Sequence, residues 1–187
     1  MNFKQQKSQQ LSKQDKSNEG SWDLKIRGLC NKINKNSNYY TTSSCAGRIV
    51  LLKGEIDKQP NAFLFKTHKT TTLKQIKQAL QNIKDYNGLV EFKQSPCILH
   101  IACNSIDKAQ ELVTKAKLAG WKYSGIMSTK RNMVELHSTE HMDFPIMLNK
   151  KVLVDDDFLK IAIEESNKRL ERVWKKIDKL NGVCDIS

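Results

Sequence analysis

Acidic residues are missing from three long stretches of this chain. None occurs from Leu24 to Gly54, from Lys58 to Lys84, or from Leu112 to Val134. Lys25, Arg27, Lys32, Lys35, Arg48 and Lys53 fill the first window and six lysines the second. Lys115, Lys117, Lys122, Lys130 and Arg131 fill the third. A merely lysine-rich composition would spread its acids among its bases. Three acid-free windows in a chain of net charge +12 point instead to a positive face for a polyanion, with RNA the best fit. The plain alternative is an ordinary lysine-rich surface.

Paired cysteines are lacking as well. Cys30, Cys45, Cys97, Cys103 and Cys184 are odd in number, scattered, and never in CxxC spacing. That argues against structural zinc and against a disulfide framework. His137 and His141 stand four apart but no third ligand accompanies them, so no metal is expected. No apolar run reaches the length of a membrane span, and the N-terminal stretch has no apolar signal core. A reduced, cytoplasmic protein with no membrane partner is the expectation. GxGxxG, Walker A, GxSxG and HExxH are all absent, which removes the usual nucleotide and hydrolase fingerprints.

What remains is a 187-residue chain, 39% hydrophobic, able to bury a core. Residues 1–20 are rich in Gln, Lys and Ser and read as a flexible polar tail, leaving 21–187 as a single domain. Ser21 to Asn36 reads as a helix with Ser21 as N-cap, Asp23 in the first turn, and Leu24, Ile26, Leu29, Cys30 and Ile33 on one apolar face. Strands are expected near Arg48 to Lys53 and Ala62 to His68, with Pro60 in the turn between them. Further strands are expected near Leu89 to Lys93, Cys97 to Cys103, Lys122 to Ser128, Met133 to His137 and Phe144 to Leu148. Helices are expected at Leu73 to Lys84 and Ile106 to Ala119, and a long one from Asp155 to Leu180 that Gly182 closes. The order is not a regular βαβ alternation. It indicates an α+β fold, a mixed or antiparallel sheet with helices packed on it and a long C-terminal helix.

The richest local signal is Tyr39 to Ile49, YYTTSSCAGRI. Six consecutive hydroxyl side chains lead into a thiol, a glycine and an arginine. We read the stretch as a loop offering hydrogen bonds and one fixed positive charge to a polar ligand, with Arg48 as a bidentate clamp and Gly47 allowing close backbone approach. A Ser/Thr-rich turn with Arg48 in a surface ion pair is the plainer reading. The residues alone stop at a basic α+β domain that binds something polar.

This stretch resembles the S-x-S-S-C-x-G-R-I/V signature of the tRNA wybutosine-synthesising methyltransferases, the third enzyme of that pathway and its archaeal counterparts. Thr41 replaces the signature's first serine and keeps the hydroxyl. Five further segments follow the family in order. GSWDLKI, from Gly20, is similar to its G-S-x-D-x-x-I, and Phe65 to His68 stands where the family has a strand ending in His. Ser95 to His100 resembles its P-x-x-L-H, and Gly120 to Ile126 its G-x-K-x-S-G-I. Val134 to Glu140 resembles its V-E-x-x-S-T-E. The resemblance extends over about Ser21 to Leu180.

The resemblance implies a non-Rossmann fold and methyl transfer from S-adenosylmethionine to N-4 of a tricyclic wyosine-type guanine beside the anticodon of tRNA(Phe). In the eukaryotic pathway that base already carries an aminocarboxypropyl group. It makes 21–187 a catalytic domain, needing no metal and acting as a monomer. It assigns Thr41, Ser43, Ser44, Cys45, Gly47 and Arg48 to the donor. His68, Lys122, Ser124, Gly125, Ser138, Thr139 and Glu140 are assigned to the substrate groove. A general base is useful where the accepting nitrogen sheds a proton. Asp23 is the first candidate, Glu135 the second, and His100 the third. Tyr39, Tyr40, Trp121 and Tyr123 border the motifs and are candidates either to stack on a flat base or to pack in the core. A non-catalytic RNA-binding module using the basic face alone is the rival reading.

Overall fold

The computed structural model describes residues 2–13, 23–54 and 62–183. The chain forms two compact units, one of Met1–Ala46, Cys97–Thr139 and Val173–Ser187, the other of Gly47–Pro96 and Glu140–Arg172. Neither unit is contiguous in sequence, so no shift in composition marks a boundary within the single domain expected from residue 21 onward. The chain passes between units inside three of the motifs, after Ala46, Pro96 and Thr139.

In the first unit the elements are α1 (Phe3–Leu11), α2 (Leu24–Lys35), β1 (Tyr39–Cys45), β5 (Ile98–Cys103), α4 (Ile106–Leu118), β6 (Gly125–Ser128) and β7 (Met133–His137). The last turns of α5 (Asp156–Val183) belong to it as well. Among the described residues its strands form an antiparallel sheet in the order β1-β5-β7-β6. One face carries Tyr39, Leu99, Ile101, Val134 and Leu136. It packs with Ile26, Leu29, Cys30 and Ile33 of α2, with Ala109, Leu112, Val113 and Ala116 of α4, and with Val173, Ile177 and Leu180. Trp121 is fully buried there and donates from Nε1 to the Lys176 carbonyl at 3.1 Å.

The second unit contains β2 (Arg48–Lys53), β3 (Phe63–Thr67), α3 (Leu73–Asn82), β4 (Leu89–Ser95), β8 (Met142–Leu148), β9 (Lys151–Val152) and the first turns of α5. Its described strands pair antiparallel in the order β3-β2-β4-β8-β9. Phe92 stacks on Phe144, which meets the edge of Phe158 on α5. Asn167 of α5 exchanges two hydrogen bonds with the Thr71 backbone ahead of α3, at 2.9 and 2.8 Å.

The α+β class, the antiparallel pairing and the long last helix agree with the sequence reading, but in two sheets rather than one. Four local expectations change. The stretch Tyr39–Cys45 is a strand, not a loop, because Thr and Tyr favour a pleated, half-buried surface and the segment pairs with β5 along its length. Residues Phe3–Leu11 are helical. A reciprocal capping box between Asn2 and Gln5 starts the helix, and the Phe3 ring lies 5.2 Å from that of Tyr40. Asp23 is the N-cap of α2 rather than a first-turn residue, and Gly182 lies within α5. Ser21 as a cap, the Gly20–Trp22 part of the first motif and the Pro60 turn fall outside the described residues.

Candidate functional site: a row across four strands

Directly paired residues on neighbouring strands point to the same face of a sheet. In the first unit Ser43 pairs with His100, His100 with Glu135, and Glu135 with Gly125. Each comes from a different motif, and the four form one row across the whole sheet. The row lies on the face opposite the buried core. Ser43 Oγ is 2.6 Å from His100 Nδ1, and His100 Nε2 is 2.8 Å from Glu135 Oε2. The His100 and Glu135 side chains are 27% and 33% exposed, so this linked pair is reachable from outside the core. An ionised carboxylate only accepts, so the Glu135 bond fixes the proton on Nε2. Nδ1 is then the acceptor for the Ser43 hydroxyl. At the end of the row a Cβ on Gly125 would meet nothing within 4 Å, so the missing side chain leaves open space beside Glu135.

A bulge puts Ser43 in this row. The pairing of β1 with β5 shifts between Thr41 and Ser43, and the extra residue Thr42 donates from Oγ1 to the His100 carbonyl at 3.3 Å. Gln10 of α1 donates to the Thr42 carbonyl at 3.4 Å, and the Lys7 ammonium of α1 donates to the Asn36 carbonyl. Thr41 and Ser44 face α2. Thr41 is buried, its amide donating to Asn34 Oδ1 at 2.8 Å and its hydroxyl accepting from Asn34 Nδ2 at 2.9 Å. The Ser44 hydroxyl hydrogen-bonds Cys30, whose thiol burial pushes up to about 12. Burial likewise raises the Cys97 thiol. Cys45 is half-buried and free.

Asp23 works from the helix side. One carboxylate oxygen accepts from the Lys25 amide at 3.3 Å and the other from the Ala46 amide at 3.2 Å. This ties the start of α2 to the turn after β1. The Ser138 hydroxyl is fully buried and accepts from the Cys97 amide at 3.1 Å, and the Ser124 hydroxyl accepts from the His137 amide at 3.1 Å. Thr139 Oγ1 lies 2.9 Å from the Lys176 ammonium. These three residues pin the ends of strands, while Lys122 is exposed in the turn ahead of β6. Of the aromatic candidates, Tyr39, Tyr40 and Trp121 are core residues. Tyr123 is 62% exposed and tilts against His137.

In the second unit Gly47 has φ +87°, which accounts for glycine there. His68 Nδ1 lies 3.2 Å from the Gly47 carbonyl. The Arg48 guanidinium stands 4.7 Å from the centroid of the exposed Phe63 ring, and its buried Nε has no hydrogen-bond partner. The Glu140 carbonyl accepts from Gln94 at 3.4 Å. No group of three His, Cys, Asp or Glu side chains able to hold a metal ion occurs among the described residues.

Sequence reasoning missed Asn34 and Thr42. Nothing in the residue pattern links an Asn near a helix end to a Thr seven positions on. Thr42 looked like one hydroxyl among several. It also missed the bond from Ser43 to His100, which strand register and not residue pattern brings about.

Comparisons with known proteins identify the family. Residues 2–183 match the family described as Methyltransferase TYW3. A Methanocaldococcus jannaschii protein named tRNA(Phe) 7-((3-amino-3-carboxypropyl)-4-demethylwyosine(37)-N(4))-methyltransferase is 38% identical over 159 residues, covering 82% of this chain and 81% of its own. A Homo sapiens tRNA wybutosine-synthesizing protein 3 homolog is 34% identical over 184 residues, covering 95% of this chain and 70% of its own. The solved PH1069 protein from Pyrococcus horikoshii superposes with a TM-score of 0.86 at 31% identity, over 97% of this chain and 93% of that one. This chain belongs to the Methyltransferase TYW3 family.

Proposed function

We propose that this chain is a cytoplasmic, S-adenosylmethionine-dependent tRNA methyltransferase. Its acceptor is N-4 of 7-aminocarboxypropyl-demethylwyosine, the tricyclic guanine derivative beside the anticodon of tRNA(Phe). The observation that carries this reading is the row Ser43, His100, Glu135 and Gly125, to which four motifs of a methyltransferase family each contribute one residue on one open face.

The donor supplies an electrophilic methyl on a sulfonium. Holding it in line with a nitrogen accounts for much of the rate such an enzyme needs. Arg48 suits the donor's carboxylate, since its buried Nε lacks a partner and its planar fork matches two oxygens. Gly47, with no side chain, admits close backbone approach beside Arg48, whereas Ser43, assigned to the donor by resemblance, stands against His100. Thr41 and Ser44 serve by holding the strand. Of the residues assigned to the substrate, Lys122 and Gly125 lie in the first unit, where Ser124, Ser138 and Thr139 shape strand ends, and His68 and Glu140 lie in the second. For the base, His100 with Glu135 is favoured over Asp23, whose two oxygens already accept backbone N–H groups. The acid-free windows supply charge for tRNA phosphates.

The test is incubation with labelled S-adenosylmethionine and tRNA from a strain lacking this activity, followed by nucleoside mass analysis. One methyl gained at the wyosine-type base is expected. Retention of tRNA with no methylated product would leave the RNA-binding module as the answer. In calorimetry Arg48→Ala should abolish donor binding, and unchanged affinity would remove Arg48 from the donor site.

A further inference from the structure

We infer that Ser43, His100 and Glu135 form a proton relay in which the Ser43 hydroxyl takes the proton displaced from the acceptor nitrogen and hands its own to His100 Nδ1. This rests on the methyl-transfer reading. Replacing hydrogen by methyl on a ring nitrogen, with a sulfonium becoming a neutral thioether, releases one proton for each turnover. The proton needs an acceptor at the nitrogen.

The geometry supplies one in three parts. The Ser43 hydroxyl is the exposed end of the chain of bonds, 2.6 Å from His100 Nδ1. His100 is held at its other nitrogen by Glu135 at 2.8 Å, which fixes the tautomer with Nδ1 free to accept. All three stand on paired positions of β1, β5 and β7, so the sheet itself sets their spacing. A structural ion pair would have no need of the serine, nor of a strand bulge that turns the serine onto this face. The logic is that of a hydroxyl, an imidazole and a carboxylate in series, here moving a proton rather than attacking a carbon.

As the new N–C bond forms and the donor's S–C bond breaks, the N–H proton passes to Ser43 Oγ. The Ser43 proton passes to His100 Nδ1 at the same time. Serine ends neutral, and the charge rests on an imidazolium paired with Glu135. Release of that proton to water between turnovers restores the start. Ser43 is thereby a catalytic residue and Glu135 a positioning residue that acts through His100.

The experiment uses the full chain with precursor tRNA and S-adenosylmethionine under single-turnover conditions. Ser43→Ala and His100→Ala should slow methylation by about a hundredfold or more. Their affinity for donor and tRNA should stay within about twofold of the parent, and their cooperative melting should be retained. Added imidazole should restore at least about tenfold of the His100→Ala rate and leave the parent unchanged, an effect no structural role predicts. Glu135→Gln should lower the rate with tRNA affinity intact. His100→Ala turning over at the parent rate, or losing rate only in step with donor affinity and ignoring imidazole, would overturn the relay. A parent chain that binds donor and tRNA but makes no methylated base would remove the methyl-transfer reading itself, and the relay with it.

Discussion

At the scale of single residues, the site separates groups that do chemistry from groups that hold them. Asp23 shows how the two are confused. A carboxylate opening a helix beside a ligand-binding motif reads as a base, yet its oxygens accept from the Lys25 and Ala46 amides. Asparagine keeps one acceptor oxygen, enough to cap the helix at the Lys25 amide, and gives up only the bond from Ala46. Asp23→Asn should therefore keep turnover close to the parent in the methylation assay, whereas Asp23→Ala should lower stability by about 1 kcal/mol in denaturant melts. Loss of turnover in a stably folded Asp23→Asn chain would return the base role to Asp23. The candidate list was legible in the sequence as a set: Ser43, His100, Glu135 and Gly125 were all named there. Their grouping was not, because contact between positions 43, 100 and 135 is decided by strand register. That Thr41 and Ser44 turn to Asn34 and Cys30 rather than to His100 has a related reason. In a strand, neighbours of the same chemical type face opposite ways.

At the scale of elements, the strongly periodic segments were read to within a few residues, as with Arg48–Lys53 and Met133–His137, which fell as expected. The misses have physical causes. A hydroxyl-rich stretch scores as a loop by composition, but Thr and Tyr beside a partner strand make a good edge. The N-terminal segment is polar between Phe3 and Leu11 and buries no residue fully, so periodicity had nothing to register in α1. A polar helix of nine residues is too short to persist alone in water, so its contacts with β1 must hold it. Phe3 against Tyr40 is the chief apolar one. Phe3→Ala should speed amide hydrogen exchange across residues 5–11 while leaving exchange in α2 and β5 unchanged. Protection as strong as in the parent would mean that the polar bonds from Lys7 and Gln10 suffice.

At the scale of the whole molecule, two observations meet: a chain of net charge +12 with acid-free windows, and relatives named for tRNA modification. If phosphate neutralisation supplies most of the tRNA affinity, contact with about six phosphates weakens binding about a thousandfold between about 50 and about 200 mM salt. Donor affinity should hardly move over the same range. Filter-binding and calorimetry series in parallel would check this, and tRNA affinity flat with salt would dismiss the basic face as the docking surface. No helix among the described residues is long and apolar enough to cross a membrane. The four described cysteines are free, and burial raises the Cys30, Cys97 and Cys103 thiols above the ordinary thiol range.

The two ends of α2 grip β1 at two points, Asn34 at Thr41 and Asp23 at Ala46. Asp23 and Asn34 stand about 16 Å apart along a helix rising 1.5 Å per residue. Thr41 and Ala46 stand about 16 Å apart along a strand rising about 3.3 Å per residue. The helix is a ruler laid against the strand. In a run of four adjacent hydroxyls the side chains are nearly interchangeable, so their chemistry does not decide which serine meets His100. Length decides it, and the identity of the reacting hydroxyl is written in a helix that never touches the reaction.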